Sequence, residues 1–215
     1  MAQIFPKWAN KLPALILIAA IFIGSLLVGF VWYFGSPEYT DVGYQPRQPV
    51  EYNHKVHAGD LGLDCRYCHN YIEVSPNANI PPTQTCMNCH KIVLSQSEKM
   101  IPVINSWNND EPLEWNRVHK LPDYVYFDHS MHLYAGIGCF SCHGNIAQME
   151  KVTQVKPLSM SWCLDCHRNP TPNIRPLDKI TSMDWEPSTD QAEMAEKLID
   201  EKNIAPPTNC SGCHR

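Results

Sequence analysis

The stretch Tyr126-Phe127-Asp128-His129-Ser130-Met131-His132, continuing from Leu133 to Gly138 into Cys139-Phe140-Ser141-Cys142-His143, decides how the rest of the chain is read. Its last five residues are a C-x-x-C-H. Two thiols at that spacing bond covalently to the two vinyl groups of a haem, and the adjacent histidine reaches the iron as proximal ligand. Just upstream, His129 and His132 form an H-x-x-H. On one helical turn, residues i and i+3 share a face but project at different angles. The pair is therefore placed to serve two different irons as sixth ligands, and neither need be the iron of His143.

Working outward, the chain of 215 residues has 10 cysteines, and all of them lie in such motifs. They are Cys65, Cys68 and His69; Cys86, Cys89 and His90; Cys139, Cys142 and His143; Cys163, Cys166 and His167; Cys210, Cys213 and His214. None is left for a disulfide. C-x-x-C pairs also suit tetrahedral zinc. Histidine is 10 of 215 residues, so five chance placements directly after C-x-x-C have odds on the order of one in three million. Zinc would also need the half-sites to pair, and five leave one over. Five covalently bound haems c are expected.

The modules repeat. His54-Lys55-Val56-His57 precedes the Cys65 motif by seven residues, and the Cys86 motif follows after sixteen. His129 and His132 precede the Cys139 motif by six, and the Cys163 motif follows after nineteen. This is an internal duplication of a dihaem unit, 54–90 and 129–167, with a fifth site at 210–214. Pro206-Pro207-Thr208 before Cys210 echoes Pro81-Pro82-Thr83 before Cys86. Five histidines remain beyond the proximal set: His54, His57, His119, His129 and His132. They match the haems in number and are the expected distal ligands. Methionine is the competing sixth ligand and raises the potential relative to bis-imidazole. Met160 and Met183 are the candidates, and if either binds iron, one histidine is spare.

Residues 12–34 carry no charge and are almost wholly apolar. As a helix they span roughly 34 Å, enough to cross a bilayer. The run is too long for a signal-peptide core and lacks an A-x-A site, so an uncleaved anchor in the membrane lipid is expected. Lys7 and Lys11 precede it, whereas Glu38 and Asp41 follow, which predicts residues 1–11 in the cytoplasm and the remainder outside. Residues 35–53, with Pro37, Pro46 and Pro49, read as a linker to a haem domain at 54–215.

About 36 residues per haem is too little chain for an ordinary side-chain core. The expected fold is therefore mostly α with extensive irregular loops and the haems as core. The 18 prolines suit it. One helix is expected from the Cys86 motif to about Ile104. Another is expected from about Thr189 to Lys202, opened by a capping box of Ser188 and Gln191. The net charge of −5, with no basic patch, gives no sign of nucleic-acid binding.

With every iron six-coordinate no position is open to a substrate, so electron transfer is expected and catalytic residues are not. Pentahaem nitrite reductases share the haem count but carry a C-x-x-C-K, which does not occur here. Small membrane-anchored quinol dehydrogenases carry C-x-x-C-H-x-M, whereas Asn70 and Tyr71 follow His69 here.

The N-terminal span, the five motifs, the two H-x-x-H modules, Arg117-Val118-His119 with Leu121-Pro122-Asp123, and Pro157-Leu158-Ser159-Met160 before Trp162-Cys163 together resemble the pentahaem cytochrome c subunit of bacterial alternative complex III. That resemblance implies a class III-like haem domain on the periplasmic side of the bacterial inner membrane. It also implies integral membrane quinol-oxidising subunits and an iron–sulfur subunit as partners, with a monohaem cytochrome c or terminal oxidase as acceptor. A haemochrome assay on the purified protein is expected to return five haems c per chain; zinc without haem would refute the motif reading.

Overall fold

The computed structural model describes residues 4–214. The chain divides into two units, one ending at Asp41 and the other starting at Val42. In the first unit, helix α1 (Leu12–Phe34) follows a tight turn at Lys7–Lys11, with Pro13 in its first turn, where a missing N–H costs nothing. Apart from the half-buried Gly24, its side chains are exposed, and the helix is long and apolar enough to cross a membrane. The short α2 (Pro37–Thr40) follows. Tyr39 packs edge-on to Phe34, with ring centroids 4.6 Å apart.

The second unit is helical with long irregular connections. Its helices are α3 (Cys65–Cys68), α4 (Thr83–His90), α5 (Ile101–Asn109), α6 (His129–Tyr134), α7 (Cys139–His143), α8 (Met160–Arg168), α9 (Gln191–Lys202) and α10 (Cys210–Cys213). Among the described residues there is no strand, only isolated bridges between Val125 and His214 and between Ile137 and Ile174. The segment read as a linker is tied down from Gly43 onward. Gly43 N–H donates to the Gln154 carbonyl at 2.8 Å, and Gln48 and Asn116 exchange bonds at 2.8 and 2.9 Å.

Two expectations fail here. The helix expected to run unbroken from the Cys86 motif to Ile104 is two helices. α4 ends at His90, Leu94 turns left-handed with φ 56°, and α5 restarts with Pro102 in its first turn. A left-handed residue cannot continue a right-handed helix, and proline favours a first turn. The capping box of Ser188 and Gln191 does not form either. α9 starts at Gln191 behind Asp190, without a side-chain cap. The Gln191 amide is drawn off to donate to the carbonyls of Thr171 and Ile174.

Only seven hydrophobic side chains among the described residues are buried: Met87, Met100, Val103, Leu133, Ile174, Ile180 and Ala195. Met87, Met100 and Val103 form a small cluster that joins α4 to α5. Ile174 and Ala195 are fully enclosed. Seven side chains are far too few to hold together a unit of this length, which leaves the interior for a large apolar group. Ile174→Ala in the haem-loaded protein is expected to cost about 2–5 kcal/mol, seen as a lowered Tm without change in haem content.

Candidate haem-binding site

Each attachment motif begins on a helical turn, which puts cysteines i and i+3 on one face. Side chains cap several of these turns. Asp64 accepts from Arg66 N–H at 2.8 Å, Ser159 from Trp162 N–H at 3.3 Å and Asn209 from Gly212 N–H at 3.0 Å. The Arg66 guanidinium also holds the Asp64 carboxyl down to about 2, below the usual carboxylate range.

The histidines share one device. His57 Nδ1 lies 2.8 Å from the Asn53 carbonyl, His69 Nδ1 2.6 Å from Asn79 O and His90 Nδ1 3.0 Å from Val93 O. His129 Nδ1 lies 2.8 Å from Pro76 O and His132 Nδ1 2.7 Å from Asp128 O. His167 Nδ1 lies 2.7 Å from Pro207 O and His214 Nδ1 3.1 Å from Tyr124 O. A carbonyl only accepts, so Nδ1 carries the hydrogen in all seven rings and Nε2 keeps its lone pair. That is the form and orientation of a metal-ligating imidazole.

Burial reinforces it by favouring the neutral ring. Burial, helped by neighbouring imidazoles, lowers His54 and His119 to about 4 and His143 to about 3. Burial also lowers His129 and His132.

Motif histidines and upstream histidines face each other. His57 and His90 have centroids 6.1 Å apart, and His132 and His167 also 6.1 Å. Two imidazoles on opposite sides of one metal, each about 2 Å from it, have centroids about 6 Å apart. His129 lies 6.4 Å from His143, with the rings nearly parallel. His119 sits closer to His143, at 4.3 Å. Its Nε2 is 3.3 Å from His143 Nδ1, the place a carbonyl takes at the other four motif histidines. His54 lies within electrostatic reach of His69, and its buried Nδ1 has no hydrogen-bond partner among the described residues. Beside His214 lies the Tyr124 ring, at 5.7 Å. Met160 is exposed and Met183 half-buried.

The two modules match beyond their histidines, which the sequence reading missed. Two residues before each H-x-x-H stands an aromatic ring. Tyr52 is edge-on to His54 at 4.7 Å and stacked on His57 at 4.5 Å. Phe127 is edge-on to His129 at 4.7 Å and tilted against His132 at 4.5 Å. Between ring and histidine, Asn53 caps Val56 N–H at 3.1 Å and Asp128 caps Met131 N–H at 3.3 Å. The carbonyls of these same two residues hold the second histidine of each pair. The signal was present as a repeated aromatic, Asn/Asp, His order.

Among the described residues no three His, Cys, Asp or Glu side chains converge as they would around a bare metal ion. Thiols in i, i+3 pairs, imidazoles with Nε2 left free, and a nearly empty side-chain core fit haem instead.

Comparison with known proteins agrees. The family described as cytochrome c7 and related cytochrome c matches residues 125–215. The class III cytochrome C family matches residues 36–112. The chain carries multihaem cytochrome c domains. It is also homologous to the "Menaquinone reductase, multiheme cytochrome c subunit" of Nitratidesulfovibrio vulgaris, 29% identical over 175 residues, covering 70% of this chain and 81% of that protein. The two matched segments of this multihaem cytochrome each contain one H-x-x-H module.

His57→Met and His132→Met are each expected to convert one haem to histidine–methionine coordination and raise its potential. Near-infrared magnetic circular dichroism reads this directly; an unchanged spectrum would remove that histidine from the ligand set.

Proposed function

We propose that this chain is the electron-transfer subunit of a membrane quinone–quinol oxidoreductase complex, with five haems c. The observation that carries the reading is the pairing of free-Nε2 imidazoles, His57 with His90 and His132 with His167, across one metal's width. Bound haem supplies one-electron redox chemistry. The protein's own part would be to hold iron between histidines such as His57 with His90 and His132 with His167, which would leave substrate nowhere to bind at those sites and make transfer outer-sphere. It also sets each potential through ligand type, burial and the Nδ1 hydrogen bond.

The ten motif cysteines form the thioether links, and His69, His90, His143, His167 and His214 are the proximal ligands. The distal ligands come from His54, His57, His119, His129 and His132, with Met160 and Met183 as the candidates for any methionine-ligated site. α1 anchors the chain, with residues 1–11 cytoplasmic because Lys7 and Lys11 lie on that side. The haem unit, 54–215, lies on the periplasmic face of the inner membrane.

Quinol is oxidised in integral membrane subunits. Electrons pass by way of an iron–sulfur subunit into this chain and on to a monohaem cytochrome c or terminal oxidase, as the resemblance to alternative complex III implies. The homologue, named as a menaquinone reductase subunit, favours a second direction, from the haems toward menaquinone. Redox potentials separate the two: haems above the menaquinone couple support oxidation of quinol, and haems below it support reduction of quinone. In the intact complex, quinol or its reverse reaction is expected to change the haem spectrum, whereas the purified chain alone stays inert to quinol. Quinol-driven haem reduction by the lone chain would replace this reading with direct quinol oxidation.

A further inference from the structure

The sequence orders the motifs from first to fifth, but their side chains do not meet in that order. The first motif touches the second and the third. Asn88, inside the second motif, donates to the Tyr67 hydroxyl inside the first at 3.1 Å, and the Cys86 and Cys68 thiols lie within electrostatic reach. On the other side, the Cys65 thiol lies beside that of Cys139.

That contact is part of a wider junction. Asp64, the cap of the first motif's turn, accepts from Thr181 Oγ1 at 3.0 Å. Cys139 N–H of the third motif donates to the neighbouring Ile180 carbonyl at 3.1 Å. Lys55 N–H donates to Met149 O at 3.0 Å, and His129 Nδ1 donates to Pro76 O at 2.8 Å. Gly59 lies so close to the Ala147 carbonyl that a Cβ has no room there. The two modules are thus joined by their leading halves.

Beyond the third motif, the Cys142 thiol lies near those of Cys163 and Cys166. The fourth then meets the fifth: Cys163 lies near Cys213, and His167 Nδ1 donates to Pro207 O, three residues before Cys210, at 2.7 Å. Exposure agrees with this arrangement. Of the ten motif cysteines only Cys89, in the second motif, and Cys210, in the fifth, are exposed; the other eight are half-buried.

We propose that the haem sites follow one another in space as second, first, third, fourth and fifth. The second and fifth sites, at Cys89 and Cys210, are then the two ends where redox partners exchange electrons. This rests on the proposed relay and deepens it. Tunnelling falls off exponentially with edge-to-edge distance, so nearest neighbours in space define the path. The sites of His69 and His143 are interior, and every electron that crosses the subunit passes between them.

The test is to locate the irons in the intact, haem-loaded membrane complex by electron cryomicroscopy. The iron of His69 is expected to have those of His90 and His143 as its two nearest neighbours within the chain. The iron of His167 should have those of His143 and His214. The irons of His90 and His214 should be the pair furthest apart. An iron of His90 nearest to that of His143, or an iron of His69 at an end, would overturn the order while leaving a five-haem carrier intact. A complex in which this chain holds no haem would overturn the carrier itself.

Discussion

The molecule depends on one small interaction repeated seven times: an imidazole N–H donating to a backbone carbonyl. It costs no side chain beyond the histidine. It fixes the tautomer, stops the ring turning about its Cβ–Cγ bond, and leaves Nε2 as the only basic nitrogen. Three of the carbonyls come from loops distant in sequence from the rings they hold. Pro207 serves His167, Tyr124 serves His214, and Pro76 serves His129. The irregular connections are therefore parts of the sites, and their many prolines keep those carbonyls in place.

The same economy explains the short helices. A turn of four or five residues does not persist on its own in water, because nucleation is unfavourable. Here each attachment turn is held by a cap or by neighbouring chain, such as Asp64 on α3 and Asn209 on α10. Covalent attachment at both cysteines, with the histidine on the metal, would then fix the turn at three points. Rings such as Tyr52 and Phe127 close the far side of the distal pair.

Much of this was legible in the residues. The five motifs, the duplicated H-x-x-H and the charge-free span are local patterns with local causes. The division of each H-x-x-H between two sites follows from i, i+3 geometry, and His57 and His132 indeed face the second motif of their own module. What could not be read depends on contacts distant in sequence. Gln191 leaves its expected cap because the carbonyls of Thr171 and Ile174 are close by in the fold. Leu94 breaks a helix that composition alone would continue. The place of His119 against His143 Nδ1 needed the fold, since its flanking Val118 and Lys120 carry no sign of it. The head-to-head junction of the modules is invisible in a linear order.

The scarcity of enclosed side chains bears on how such a protein comes into being. A chain whose interior amounts to Ile174, Ala195 and a few methionines and aliphatics has little reason to collapse by itself. Folding and cofactor attachment become one event, with the porphyrins supplying the apolar surface that ordinary domains encode in residues. Until attachment, the ten thiols stand reduced and open to mispairing with one another.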